Sequence, residues 1–452
     1  MISGYIILFL IKNYQIMFSI FDLTLKLNGF PIEKGKKQLE SILNISETDY
    51  PEFLASTQRD IVEFHLQNNL FYRDLVGKDT FENWTDLPVL TKKDLQKPLN
   101  ERLSKGYTVQ SVYVNKTSGS SGDPFVFAKD KSCHALTWAS YVYRFGWFGI
   151  DFNTSYQARF YGIPLDFLGY RKERLKDFLG NRYRFPIFDL SDRVLEGVLE
   201  HFKTKKFDYI NGYTSSIVLF AKFLQTKNII LKDICPTLKV CMVTSEMLFE
   251  KDKLLMEHQF GIPIVNEYGA SELDLIAFQN PIGEWQVNAE TLFVEILDNN
   301  NNVLPYGEEG RVVITSLYNK AHPFIRYDIG DIGVLDEKST LKKPIFKKLI
   351  GRTSDVALLP SGKKSPGLTF YYVTKSIIED DGNVKEFIVR QTKIDTFEID
   401  YVSSLELTAH QIEEIEKAIA KYLEPGLQFT YNRKEVLERT KRGKLKQFQS
   451  LL

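Results

Sequence analysis

The sequence predicts an α/β protein in two parts: a large N-terminal α/β body with parallel sheet regions and a β-rich subdomain, then a small C-terminal α+β domain. Three observations predict it. Helix-like and strand-like segments alternate between residues 130 and 266. From residue 291 short strand-like runs are separated by Asn/Gly/Pro turns, and after residue 384 two alternating runs precede one amphipathic helix. The length of 452 residues, 43% of them hydrophobic, exceeds what one core ordinarily supports and supplies material for more than one.

The elements follow in order. Ile6 to Ile11 is apolar, but Lys12 and Asn13 close the run before it could cross a bilayer, and Met17 opens the amphipathic Phe18-Ser19-Ile20-Phe21-Asp22-Leu23. Residues 1–16 are therefore expected to be an over-extended start that adds nothing to the fold. Residues 33–72 carry helical patterning, and Leu87-Pro88-Val89-Leu90 leads into Thr91 as an N-cap for Lys92 to Leu95. Ser111 to Val114 and Val126 to Ala128 read as strands. Helices are expected over Asp130 to Trp147, Asp192 to Phe202 and Ser215 to Leu224, with strands at Phe207 to Ile210, Leu238 to Val243 and Pro263 to Asn266.

From Thr291 the strands Phe293 to Leu297, Arg311 to Thr315 and Gly333 to Leu335, with the turn Asn299-Asn300-Asn301-Asn302, read as antiparallel or barrel-like. A boundary near residue 350 divides the large domain, 17–350, from the small one, 351–452. In the latter, Val384 to Gln391 and Thr396 to Val402 alternate like paired strands. Thr408 to Leu423 is a helix with Ile412, Ile415, Ile419 and Leu423 on one face, stopped by Pro425-Gly426.

Composition narrows the function. Lys plus Arg equals Asp plus Glu at 58 each, so no overall field draws nucleic acid or an anionic membrane. Cys133, Cys235 and Cys241 have no Cys-x-x-Cys spacing, which argues against disulfides or structural zinc and fits a reducing cytoplasm. The six histidines show no metal-ligand spacing. The expected partner is a small molecule, with no nucleic acid and no integral membrane segment, for a monomer or homodimer.

The most informative stretch is Thr117-Ser118-Gly119-Ser120-Ser121-Gly122-Asp123-Pro124. Glycine backbone can approach a ligand closely, and consecutive N–H groups with nearby hydroxyls suit a phosphate. A ligand-free surface turn has the same composition. The stretch matches neither the G-x-x-x-x-G-K-[ST] loop nor the G-x-G-x-x-G fingerprint. Further along come Thr244-Ser245-Glu246, Tyr268-Gly269-Ala270-Ser271-Glu272, Arg326-Tyr327-Asp328-Ile329-Gly330-Asp331, Gly351-Arg352-Thr353-Ser354-Asp355 and Arg442-Gly443-Lys444. Singly each has an ordinary reading: Tyr268 a core aromatic, Glu272 an acid at a helix start, Asp331 with Arg352 a surface pair, Lys444 one member of a solvated basic tail. Their order over more than 300 residues is the stronger signal.

Together these motifs resemble the adenylate-forming enzyme superfamily, specifically its phenylacetate-CoA ligase-like branch. Within that branch they look closest to members encoded with bacterial capsule and surface-polysaccharide genes. The resemblance runs from about Leu87 to the end and includes Leu87-Pro88-Val89-Leu90-Thr91-Lys92-Lys93-Asp94-Leu95 and Asn211-Gly212-Tyr213-Thr214-Ser215-Ser216. It implies an AMP-forming acid-thiol ligase. A carboxylic acid attacks ATP to give acyl-AMP and pyrophosphate, and coenzyme A then takes the acyl group.

The resemblance also implies roles. Thr117, Ser118, Gly119, Ser120, Ser121 and Gly122 would hold the leaving phosphates, although many relatives have Lys where Asp123 stands. Tyr268, with Gly269 and Ser271, would lie against adenine, and Glu246 would belong to the adenine-contacting turn. Glu272 would hold Mg2+, and Asp331 and Arg352 the ribose. Asp355 would be the hinge of a mobile small domain, and Lys444 the catalytic lysine. Phe160-Tyr161-Gly162 and Asn266 fall at acyl-pocket positions. Leu358 to Gly367 departs from the phenylacetate enzymes, so an amine, a hydroxyl or a carrier-protein thiol stands beside coenzyme A as acceptor. A catalytically inactive nucleotide-binding scaffold and an ADP-releasing phosphotransferase are the rival classes.

Overall fold

The computed structural model describes residues 20–77, 80–117, 125–162, 167–185, 187, 190–352, 356–362, 364–366, 384–439 and 445–452. The expected over-extended start at 1–16 lies outside them. Helical patterning early in the chain becomes α1 (Ile32–Leu43) and α2 (Tyr50–Asn68), which bury Leu39 and Ile42, and Leu54, Ile61 and Leu66, on their apolar sides. Thr91 caps no helix. Its N–H and Oγ1 donate to Asp94 Oδ2 at 2.8 and 2.7 Å, closing a turn, while Leu90 is drawn into a parallel bridge with Tyr327.

β1 (Tyr113–Lys116) and β2 (Val126–Lys129) form an antiparallel hairpin flanking the Ser/Gly connection. After it, α3 (Lys131–Gly146) starts on Asp130, whose Oδ1 accepts from the N–H groups of Ser132 and Cys133, both at 2.9 Å. The alternation that follows builds the parallel half of a large sheet. Its strands are β3 (Gln157–Phe160), β4 (Arg182–Phe185), β5 (Tyr209–Tyr213), β6 (Val240–Thr244) and β7 (Ile264–Ala270). Helices α4 (Asp192–Thr204) and α5 (Thr214–Thr226) cover one face, setting Phe202, Phe220 and Leu224 against Phe160, Ile210 and Val243. On the other face Phe145 of α3 packs on Val240, Met242 and Val265. Both faces are covered, as a parallel sheet requires.

The β-rich stretch is antiparallel and continuous with these strands: β8 (Asp274–Gln279), β9 (Trp285–Val287), β10 (Leu292–Leu297), β11 (Glu309–Ser316), β12 (Tyr327–Leu335) and β13 (Ile345–Arg352). One 11-stranded sheet results, in the order β10-β11-β12-β13-β9-β8-β7-β6-β5-β3-β4. This half curls strongly. Tyr268 on β7 hydrogen-bonds Asp331 on β12 although three strands separate them in the sheet order. Arg326, 1% exposed, braces the curl by donating to Leu87 O at 2.9 Å and pairing with Glu295 at 3.3 Å.

Beyond residue 352 the chain leaves the large sheet. A hairpin of β14 (Val356–Leu358) and β15 (Lys364–Pro366) precedes a four-stranded sheet of β16 (Val384–Gln391), β17 (Thr396–Ser403), β18 (Gln428–Lys434) and β19 (Phe448–Ser450), ordered β18-β17-β16-β19. Helix α6 (Ala409–Tyr422) lies on it, opened by a capping box between Thr408 and Gln411. Its Ile415, Ile419 and the following Leu423 are buried with Phe387, Phe397 and Ile399, while Ile412 is only half-buried. Phe249 of the large body completes this core, and Lys385 Nζ reaches Asp192 at 3.0 Å, so the two parts are docked. Among the described residues no helix is long and apolar enough to cross a membrane.

Candidate active site

The site forms where the parallel strands end and the curled strands face them. In Tyr268-Gly269-Ala270-Ser271-Glu272 the first three residues end β7 and the last two begin the tight turn to β8, rather than a helix. Tyr268, 8% exposed, wedges its ring against Trp285 and Phe346 and donates its hydroxyl to Asp331 Oδ2 at 2.5 Å. Such a bond to a carboxylate is strong and orients it. Gly269 is required by packing, because a Cβ there would lie 2.6 Å from the Asp274 carbonyl oxygen. Ser271 sits in the turn, half-buried. Glu272 is buried and accepts from the Tyr327 hydroxyl at 3.1 Å through Oε1. A single oriented carboxylate suits Mg2+, which is ordinarily held by one or two carboxylates together with phosphate oxygens. Among the described residues no group of three or more His, Cys, Asp or Glu forms a closed metal cage.

The Ser/Gly connection is pinned at its base. Thr117 N–H donates to Phe125 O at 2.9 Å, and Thr117 Oγ1 accepts from Phe125 N–H at 3.0 Å. Lys129, on the strand leaving this connection, pairs with Asp274 beside the Glu272 turn, which ties the two hairpins together. Ser118, Gly119, Ser120, Ser121 and Gly122 lie outside the described residues, as do Asp355 and Lys444. The backbone of Arg352 is paired with that of Asp331 in the β12–β13 register.

Glu246 follows β6, and its position joins the two parts of the chain. Its Oε2 accepts from Ser215 N–H at 2.7 Å and its Oε1 from Leu445 N–H at 2.9 Å. Arg439 donates to Ser215 Oγ at 3.2 Å and to Glu386 Oε2 at 2.6 Å. Burial pushes the Glu386 carboxyl up, opposed by Arg439 and reinforced by Glu246. Residues on both sides of 440–444 are thus anchored where β6 ends, one strand from Tyr268. Both oxygens of the Glu246 carboxylate are engaged in this docking.

Two charged residues at the site escaped the sequence reading, Arg159 on β3 and Glu267 on β7. Burial raises Glu267 from its ordinary value of 4.5 to about 7, with the Thr244 hydroxyl at 3.1 Å and the Arg159 charge pulling the other way. Tyr161 and Tyr141 are its other neighbours, and its charge adds to the burial that raises their phenols. The raised carboxyl binds a proton that the unfolded chain releases, so its contribution to stability is complete below about pH 4.5 and lost as pH rises through about 7. Glu267→Gln is expected to be more stable than the parent at pH 8 by at most about 3 kcal/mol, with the advantage gone at pH 4. A pH-independent difference in unfolding midpoints would show that this carboxyl is not the group concerned. Of the acyl-pocket positions, Phe160 is 0% exposed in the opposite core and Asn266 lines a recess beside Leu248 and Trp285. Tyr161 alone of these stands beside Glu267. Strand alternation separates neighbours in sequence onto opposite faces.

No family model matches the chain. Protein CapK of Staphylococcus aureus is 25% identical over 347 residues, covering 71% of this chain and 72% of that protein. The phenylacetate-coenzyme A ligase of Aromatoleum evansii is 30% identical over 131 residues, 27% of this chain and 29% of the ligase. Among solved structures, a 2-hydroxyisobutyryl-CoA ligase in its postadenylation state, complexed with R3-HIB-AMP, superimposes with a TM-score of 0.66 at 15% identity, over 87% of this chain and 88% of that one. The fold is that of the adenylate-forming CoA ligases. The two relatives agree with the phenylacetate-CoA ligase-like branch that the motifs resemble.

Proposed function

We propose that this protein activates a small carboxylic acid with ATP, releasing pyrophosphate, and passes the acyl group from acyl-AMP to coenzyme A. The observation that carries the reading is the convergence at the sheet's C-terminal edge: Tyr268 holds Asp331 at 2.5 Å, and Glu246 holds the backbone beside Lys444 at 2.9 Å. A carboxylate approaching a polyphosphate meets repulsion that donors and cations must offset. Asp331 and Arg352 take the ribose hydroxyls, and the Tyr268 ring lies against adenine with Gly269 and Ser271 shaping the turn. Thr117, Ser118, Gly119, Ser120, Ser121 and Gly122 cradle the leaving phosphates. Mg2+, when bound at Glu272, neutralises phosphate charge. Lys444 bridges the attacking carboxylate and the α-phosphate. Residues 351–452 act as the moving domain on the Asp355 hinge, and the reaction is cytoplasmic.

An amine or hydroxyl acceptor in surface-polysaccharide assembly is the second reading, favoured by residues 358–367. Gln391 clamps the backbone of Leu358 by accepting from its N–H at 3.2 Å and donating to its carbonyl at 2.7 Å, which fixes the start of this departing hairpin. Both readings are tested by product analysis across a panel of acids, with and without coenzyme A. AMP with pyrophosphate is expected; ADP would place the chemistry at the γ-phosphate and refute both. Asp331→Asn should weaken ATP binding by roughly 10- to 100-fold, the worth of hydrogen bonds to a charged group. Titration calorimetry with ATP and 2′-deoxy-ATP checks it: the loss should be smaller for the deoxynucleotide, and an equal loss for both would remove Asp331 from the ribose.

A further inference from the structure

Arg159 and Glu267 sit on inner strands of a parallel sheet, where covered faces are normally apolar. The register places Arg159 level with Asn211, and Thr244 level with Glu267, all toward the strands' C-terminal ends. Deeper on this face are Val240, Met242 and Val265, at most 2% exposed. Arg159, Tyr161 and Glu267 are instead half-buried, so each keeps part of its surface open on this same face.

Neither charge is paired with the other. Among the described residues Arg159 has no ion pair, its Nε is buried without a hydrogen-bond partner, and its guanidinium stacks 4.2 Å from the Tyr161 ring centre. Among the described residues Glu267 accepts one hydrogen bond, from Thr244. The Tyr161 hydroxyl lies 3.3 Å from Asn211 Oδ1, and its ring 4.7 Å from that of Tyr213. A cation and a carboxylate withdrawn in part from water and left apart are costly unless a third group satisfies both.

We propose that the open surface beside Arg159 and Glu267 takes a hydroxyl group of the acid substrate, accepting from Arg159 and donating to Glu267, so that the substrate class is a hydroxylated carboxylic acid. The inference rests on the adenylation reading. A hydroxyl is both donor and acceptor, which is what a guanidinium and a carboxylate jointly demand. A second carboxylate would face Glu267, an ammonium would face Arg159, and an alkyl or aryl group would leave both unsatisfied.

The test measures pyrophosphate release with matched acids: butyrate against 3- and 4-hydroxybutyrate, phenylacetate against 4-hydroxyphenylacetate, with 4-aminobutyrate and succinate as charged controls. A site built around a hydroxyl should prefer the hydroxy acid of at least one pair by about 100-fold or more in kcat/KM. Glu267→Leu should collapse that ratio to below about tenfold, and the isosteric Glu267→Gln, which guards against a folding defect, should reduce it in the same direction. Preference for unsubstituted, amino or dicarboxylic acids, with pyrophosphate still released, overturns the hydroxyl inference and leaves the adenylation reading standing. Absence of pyrophosphate with every acid overturns both.

Discussion

Lys444→Ala is expected to lower the rate of pyrophosphate release by about a thousandfold or more, the scale on which a preorganised cation at a transferring phosphoryl group acts, while ATP affinity changes little. The basic tail offers Arg439, Lys441, Arg442 and Lys446 as competitors. Arg439 is committed elsewhere, to Glu386 and Ser215. What favours Lys444 is its place beside Leu445, whose N–H is held by Glu246 at the end of β6. A cation that acts only as charge builds on the α-phosphate does not strengthen ground-state binding, so its loss should appear in kcat rather than in nucleotide binding. Rapid-quench measurement of pyrophosphate, alongside calorimetric ATP titration, checks this. Near-normal turnover in Lys444→Ala with a large loss in Lys441→Ala would move the role to Lys441.

Much of the fold was legible because local chemistry and tertiary structure agree. Asp130 caps α3 as its position before an apolar-periodic run suggests, and Thr408 with Gln411 opens α6. Thr91 failed as a cap because a long-range bridge, Leu90 to Tyr327, outweighed a local preference. The Tyr268 to Glu272 motif was not legible as a hairpin: the antiparallel return of β8 is decided by pairing partners that a window of sequence does not contain. The order β13-β9-β8 is hidden for the same reason.

Glu267 and Arg159 were missed for a different reason. Arg159 lies on a strand that was not predicted, and Glu267 lies one residue beyond the predicted strand Pro263 to Asn266, so neither stood out as a charge on a covered sheet face. The hydrogen bonds of the Glu246 carboxylate with Ser215 and Leu445 were not legible either, since the second joins residues nearly 200 apart in sequence.

Arg326→Ala should have the largest effect on stability, about 3 to 5 kcal/mol, because it strands a buried carboxylate. The side chains of Arg326 and Glu295 are 1% and 2% exposed, and burial raises the Glu295 carboxyl while Arg326 opposes the rise. The guanidinium also donates to the carbonyls of Thr85 at 3.2 Å and Leu87 at 2.9 Å, so it joins the entry segment to the curled sheet. Replacing both partners with leucine should recover more than half of the loss, since two apolar side chains need no compensation. Denaturant unfolding of the single and double variants checks this, read at the transition of the large body. A single-variant loss below about 1 kcal/mol would mean that the pair behaves like an exposed one. The consequence reaches the site through β12. Tyr327, next to Arg326, presents its hydroxyl to Glu272, and Asp331 lies four residues beyond on the same strand. If Arg326 holds the register of β12, its loss should weaken nucleotide binding even in the fraction that stays folded, and Asp331 and Glu272 should lose their alignment together.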